Sequence, residues 1–200
     1  MPNAYLPREL VHLWSEAIGE DPEQHSTSLT RLLRDQRRLT RFIGENQESM
    51  APATGGVCMY LFGVVARFFD LAGGRMRSAT WAQVRQSQAK VQAAAMELLP
   101  YDEGFASRLR QVEWRAQPHI LDETLMALFE KEKRDDEVDV SDEEALKLFF
   151  LIWVAVEVLD GNWRPPKSWQ GLTEYSYVHI EPEVADEVTD EPDEDEPGEE

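Results

Sequence analysis

The sequence predicts an all-α protein, a single bundle of six to seven helices that ends in a disordered acidic C-terminal tail. Apolar residues recur at steps of three and four along most of the first 160 positions, the period of a helix with one buried face. Two stretches, 57–72 and 145–159, are apolar on nearly every face, as a helix enclosed by other helices is. Beyond Pro182 the chain is mostly Pro, Asp, Glu and Gly. Such a segment buries too little apolar surface to offset an ordering cost of about 1–2 kcal/mol per residue.

Composition agrees with a real core: 42% of the 200 residues are hydrophobic and 10% aromatic. The net charge of −19 is concentrated at one end, because residues 181–200 hold twelve acids and no Lys or Arg. Residues 1–180 keep 27 acids against 20 bases, an ordinary balance. The expected domains are therefore a bundle over 1–165, a Trp- and Tyr-containing extended segment over 166–180 packed on it, and a tail over 181–200. Cys58, the single cysteine, lies in an apolar run and reads as an inert buried thiol. The first residues lack the basic and apolar regions of a signal peptide, and the longest apolar run, Leu148–Val156, falls short of the ~20 residues a bilayer span needs. No membrane association and a cytoplasmic location are expected.

The helices follow in order. Leu10, Val11, Trp14 and Ile18 mark a first short helix, ended by Gly19 and Pro22. Leu29, Leu32, Leu33, Gln36, Leu39, Phe42 and Ile43 predict one continuous helix of four turns, capped within Ser26–Ser28 and stopped at Gly44. Residues 50–56 read as a linker. The first enclosed helix, 57–72, ends at Gly73-Gly74. Trp81, Val84, Gln88, Val91, Ala95 and Leu98 mark the next, stopped by Pro100. Phe105, Leu109 and Val112 give a short helix, and Ile120, Leu121, Leu125, Leu128 and Phe129 another after Pro118. Lys131–Val140 is a charged loop. Ser141 to Glu144 has the spacing of a capping box and opens the second enclosed helix, which stops at Gly161-Asn162. No strand pairing is expected, apart from weak alternation over Tyr175–Ile180.

Two segments resemble each other. Val57–Gly74 aligns with Ala145–Asn162, matching Leu61 with Phe149, Phe62 with Phe150, Val64 with Ile152 and Gly73 with Gly161. Each is preceded by an amphipathic helix that starts beside a glutamine, Gln36 or Gln117. This predicts a duplicated helical hairpin whose apolar helices pair at the centre, with Gly63, Ala66 and Ala155 permitting close approach.

Motifs for chemistry are sparse. Glu9 and His12 have the Glu-x-x-His spacing of carboxylate di-iron bundles, but such sites need a second pair and two further glutamates. No Gly-x-Ser-x-Gly elbow, phosphate loop or dinucleotide fingerprint occurs. No catalytic, cofactor-binding or metal-binding residue is expected, and the chain reads as a non-enzyme.

The feature that stands out is basic. Five of fifteen arginines fall within residues 31–41, and four of them, Arg31, Arg34, Arg38 and Arg41, form one stripe on the expected continuous helix, with Arg37 beside it. Guanidinium forks suit carboxylates, so this stripe is the candidate surface for an anionic partner or for the chain's own tail, which can reach ~3.3 Å per residue. Nucleic acid is disfavoured by the acidic charge of the whole chain. Trp163 and Trp169, beside Pro165 and Pro166, are candidate interface anchors. Together these features imply a helical protein–protein interaction module, an adaptor, regulatory or assembly subunit. The alternative is an acidic inhibitory protein of immunity type that binds a basic enzyme by mimicking a polyanion. An adaptor predicts an exposed apolar groove; mimicry predicts acids gathered on one face.

Overall fold

The chain enters its first helix through an extended segment that ends at Pro7, whose φ of −57° and ψ of 141° make it the N-cap of α1 (Arg8–Glu20). The computed structural model describes residues 3–130 and 138–166, and these fall within one unit, Met1–Trp169. Trp169, the rest of the 166–180 segment beyond Pro166, the acidic tail and most of the charged loop lie outside the described residues.

After α1 come α2 (Pro22–Asp35), α3 (Arg37–Gln47), α4 (Pro52–Leu71), β1 (Arg75–Met76), α5 (Trp81–Leu98), α6 (Phe105–Arg110), α7 (Pro118–Leu125) with a π-helical turn (Met126–Glu130), α8 (Asp142–Asn162) and β2 (Trp163–Arg164). The described residues thus hold eight α-helices rather than six to seven. The extra one arises because the helix expected over 29–43 is two helices. Gln36 leaves helical geometry (φ −104°, ψ 33°), and its buried carboxamide turns to another part of the chain. Residues 26–28 fall inside α2 instead of capping it, and α3 runs three residues past Gly44. The expected linker mostly belongs to α4, which opens with Pro52 in its first turn, where a missing N–H costs nothing.

The two enclosed helices, α4 and α8, lie side by side at the centre, with α2 packed on α4 and α5 on α8. Phe62 and Phe68 of α4 and Phe149, Ile152 and Trp153 of α8 are fully buried in one continuous core. By length and composition α4 could cross a bilayer, yet more than half of that window is buried inside the bundle. Its buried apolar side chains pack against neighbouring helices. Gly63 has a different role from the one expected. A Cβ there would meet the Leu29 methyls of α2 at 2.7 Å, so this glycine serves the α2–α4 contact rather than the central pair.

Three further details depart from expectation. First, strands exist: β1 and β2 form a two-residue antiparallel ribbon pairing Arg75 with Arg164 and Met76 with Trp163. Gly73 and Gly74 have φ of 72° and 85°, and a Cβ on Gly74 would collide with the Arg164 carbonyl, so only glycine lets the two segments approach. Second, the capping box at α8 is half formed. Ser141 Oγ accepts the Glu144 N–H, but the Glu144 carboxylate accepts the Ala51 N–H (2.9 Å) and the Thr54 hydroxyl (2.9 Å) at the N-terminus of α4. These bonds hold its carboxyl below the usual range. Third, a complete capping box occurs at α5, where Thr80 Oγ1 accepts the Gln83 N–H (3.3 Å) and Gln83 Oε1 accepts the Thr80 N–H (2.9 Å).

The two glutamines marked in the sequence make hydrogen bonds of the same form. Gln36 Oε1 accepts the Ala79 N–H (3.0 Å) while its Nε2 donates to the Arg77 carbonyl (3.0 Å). Gln117 Oε1 accepts the Leu6 N–H (2.8 Å) while its Nε2 donates to the Ala4 carbonyl (3.0 Å). Each glutamine precedes the helix before a central helix, and each grips residues n and n+2 of the extended segment leading into α5 or α1. Each clamp therefore joins the two halves of the chain, and the packing of α1 on α7 and of α3 on α5 follows the same exchange.

Candidate protein-binding surfaces

Because α2 and α3 are separate helices, the arginine stripe is not one continuous face. Arg31 bonds Asp70 of α4 (2.9 Å), which is also held by Arg67. Arg34 is exposed, 3.8 Å from Asp35. Arg38 donates to the Ala79 carbonyl (3.2 Å), and Arg41 bonds Glu45 on its own helix (2.7 Å). Arg31, Arg38 and Arg41 thus have local partners, and Arg41 points along α3 towards a different surface from Arg31.

That second surface is a groove of about 390 Å³ between α3, α5 and α8. Phe42, Met50, Val91, Phe150 and Val154 give it an apolar floor, with Ala95 and Gln92 on its wall and Lys147 at its edge. Hydrogen bonding to Glu143 raises the Lys147 pKa, which keeps the ammonium charged and unsuited to act as a base. A polar depression lined by Arg41, Glu45, Trp81 and Arg85 continues the groove, sharing Phe42, Asn46 and Gln88 with it.

A third concavity, of about 580 Å³, lies between α2, α4 and the ribbon, with Asp35, Gln36, Asp70, Gly74 and Met76 on its walls. Trp163 closes the core beside it. Its indole is 3% exposed, packs edge-on against Phe69 at 5.2 Å and donates to the Gly73 carbonyl (2.8 Å). The tryptophan expected as an interface anchor is therefore a core residue, fixed by its pairing in β2.

No family model, curated protein or solved structure matches this chain. The remaining chemical features are the titratable groups.

Those groups are mostly structural. Burial pushes the Cys58 thiol up to about 12, so the thiolate needed for nucleophilic chemistry does not form at neutral pH. His12 contacts Glu123 (3.3 Å) and Glu16 (3.6 Å) rather than Glu9, and among the described residues no group of three or more potential ligands is arranged to hold a metal. Glu157, nearly buried, accepts the Ala116 N–H (2.8 Å) and the Trp153 indole N–H (3.1 Å) and pairs with Lys90 (3.1 Å).

Asp160 is the exception. Burial raises its pKa, with a contribution from the Glu157 charge, although Gln117 Nε2 donates to its Oδ1 at 2.7 Å. A folded state that holds this proton more tightly than the unfolded chain loses stability as pH rises from ~3.9 through the raised value. Asp160→Asn keeps an oxygen for Gln117 and removes the charge. Urea unfolding is expected to show the variant more stable than the parent at neutral pH, with the difference closing in acid below the ordinary aspartate pKa.

Sequence reasoning missed Arg75, Arg77 and Arg164, which the ribbon brings together. Their only sequence signal is that each directly follows or nearly follows the glycine- or asparagine-marked end of a central helix.

Proposed function

We propose that the chain is a cytoplasmic, non-enzymatic protein-interaction module, an adaptor or regulatory subunit, whose partner seats an amphipathic helix in the groove between α3, α5 and α8. The observation that carries this reading is the apolar floor of that groove, reachable from solvent between three helices. Helix-in-groove recognition places apolar anchors at helical spacing into such a floor. Arg41 and Arg85 at its polar end suit acidic residues flanking those anchors. The polyanion-mimic alternative gains less support, since Glu9, Glu45, Asp122 and Glu143 lie on four different helices and three of these acids contact a base.

The test uses the full chain carrying a photo-crosslinking residue at Gln92, an exposed position on the groove wall. Ala95→Arg fills the groove from a half-buried helical site where arginine is a good helix former. A partner captured by the parent is expected to be lost in Ala95→Arg at an unchanged melting temperature. Capture that persists in the folded variant overturns the proposal.

A further inference from the structure

The antiparallel register of the ribbon sets Arg75 directly opposite Arg164. Side chains so placed share one face of a ribbon with Cβ atoms about 5 Å apart, and like charges there are destabilising. Arg77 extends the ladder, donating its N–H to the Asn162 carbonyl (3.0 Å), and strand alternation returns it to the Arg75 side. Met76 and Trp163 take the opposite face, towards the concavity and the core. All three arginines are exposed. Among the described residues none of them has a carboxylate partner, whereas Arg31, Arg67, Arg108 and Arg115 each do.

More positive charge borders this face. Ser78 Oγ donates to the Asp35 carbonyl (2.9 Å), and Arg38 to that of Ala79. These bonds bring the α2–α3 junction, with exposed Arg34 and Arg37, beside the strand leading out of β1. Three arginines are thus collected at this strand contact, where like charge opposes the pairing that collects them.

We propose that this outer face, Arg75, Arg77 and Arg164, is a docking site for a short acidic segment of a partner protein. Carboxylates match guanidinium forks in bidentate geometry, and a bound carboxylate between Arg75 and Arg164 turns their repulsion into attraction. A short acidic segment is favoured over nucleic acid because three arginines on a two-residue ribbon match a few carboxylates in number and fork geometry rather than the long phosphate ladder of a duplex. The site is on different elements from the α3–α5–α8 groove and stands independently of it.

The experiment is fluorescence anisotropy of a labelled oligoglutamate peptide with the full-length chain, at low and physiological salt. Binding is expected, weakening as salt rises. Arg75→Gln and Arg164→Gln are each expected to weaken it by about tenfold, the loss of one charge-assisted contact. Arg164→Lys, which keeps charge but loses the fork, falls between. Arg110→Gln, on α6, leaves binding unchanged. The melting temperature of the Arg75→Gln/Arg164→Gln protein is expected to equal or exceed that of the parent, because an opposed like-charge pair is gone; a lower value would make the pair structural and overturn the assignment. Absence of peptide binding at low salt, binding unchanged in the double variant, or tighter binding of a DNA duplex of equal charge would each overturn it as well.

Discussion

Trp153→Ala is expected to lower the free energy of unfolding by about 3–5 kcal/mol, the range for emptying a buried aromatic site. Trp153 has no exposed surface and sits on α8 in the middle of an aromatic group. It stacks on Trp114 at 5.3 Å and on Phe150 at 6.3 Å, and its indole N–H donates to Glu157. Alanine removes the stack, opens a void between rigid helices and takes a donor from a nearly buried carboxylate. Trp153→Phe separates these contributions, because it restores most of the volume and not the N–H. Chemical denaturation of both variants measures the split: a larger loss for Ala than for Phe is expected, and equal losses would mean that the hydrogen bond, not the packing, dominates.

Gln117→Ala is expected to cost about 3 kcal/mol, since each buried polar group left without its partner costs about 1–3 kcal/mol. The Leu6 N–H and the Ala4 carbonyl lose theirs, and Asp160 keeps Asn3 but loses its bond from Gln117. The residue is 1% exposed, so water does not readily replace the lost amide. Gln36→Ala breaks two equivalent bonds, with Ala79 and Arg77, and is expected to cost about 2 kcal/mol by the same reasoning. Hydrogen exchange locates the damage. Faster exchange at the Leu6 amide in Gln117→Ala, and at the Ala79 amide in Gln36→Ala, is the expected signature.

The fold class was legible because it rests on local pattern. All-round apolarity over 57–72 and 145–159 announces burial whatever the neighbours are, and the structure encloses both helices in one core. The break at Gln36 was not legible, because apolar spacing continues across it from Leu33 to Leu39. The chain bends there for a bond to residues 41 and 43 positions away. The capping box at Ser141 misled for a similar reason. Its spacing is correct, yet Glu144 is taken by the N-terminus of α4, 93 residues earlier. Among the site residues, the density of arginines over 31–41 was plain, but their partners Asp70 and Ala79 belong to other elements. The ribbon arginines left almost no trace, because two residues per strand are too few to show alternation.

The crossed glutamine clamps bear on how the molecule comes apart. Two clamps of the same form, one in each half of the bundle, invite the expectation of two melting events. Here each half surrenders its leading segment to the other, and Asn3 reaches across to the Asp160 and Trp163 carbonyls where the second half ends. The contacts thus run in both directions, and neither half keeps its buried amide satisfied once the other has opened. Thermal unfolding is therefore expected as one transition, with coincident loss of helix signal and of tryptophan burial, because the two clamps are interlocked rather than merely stacked.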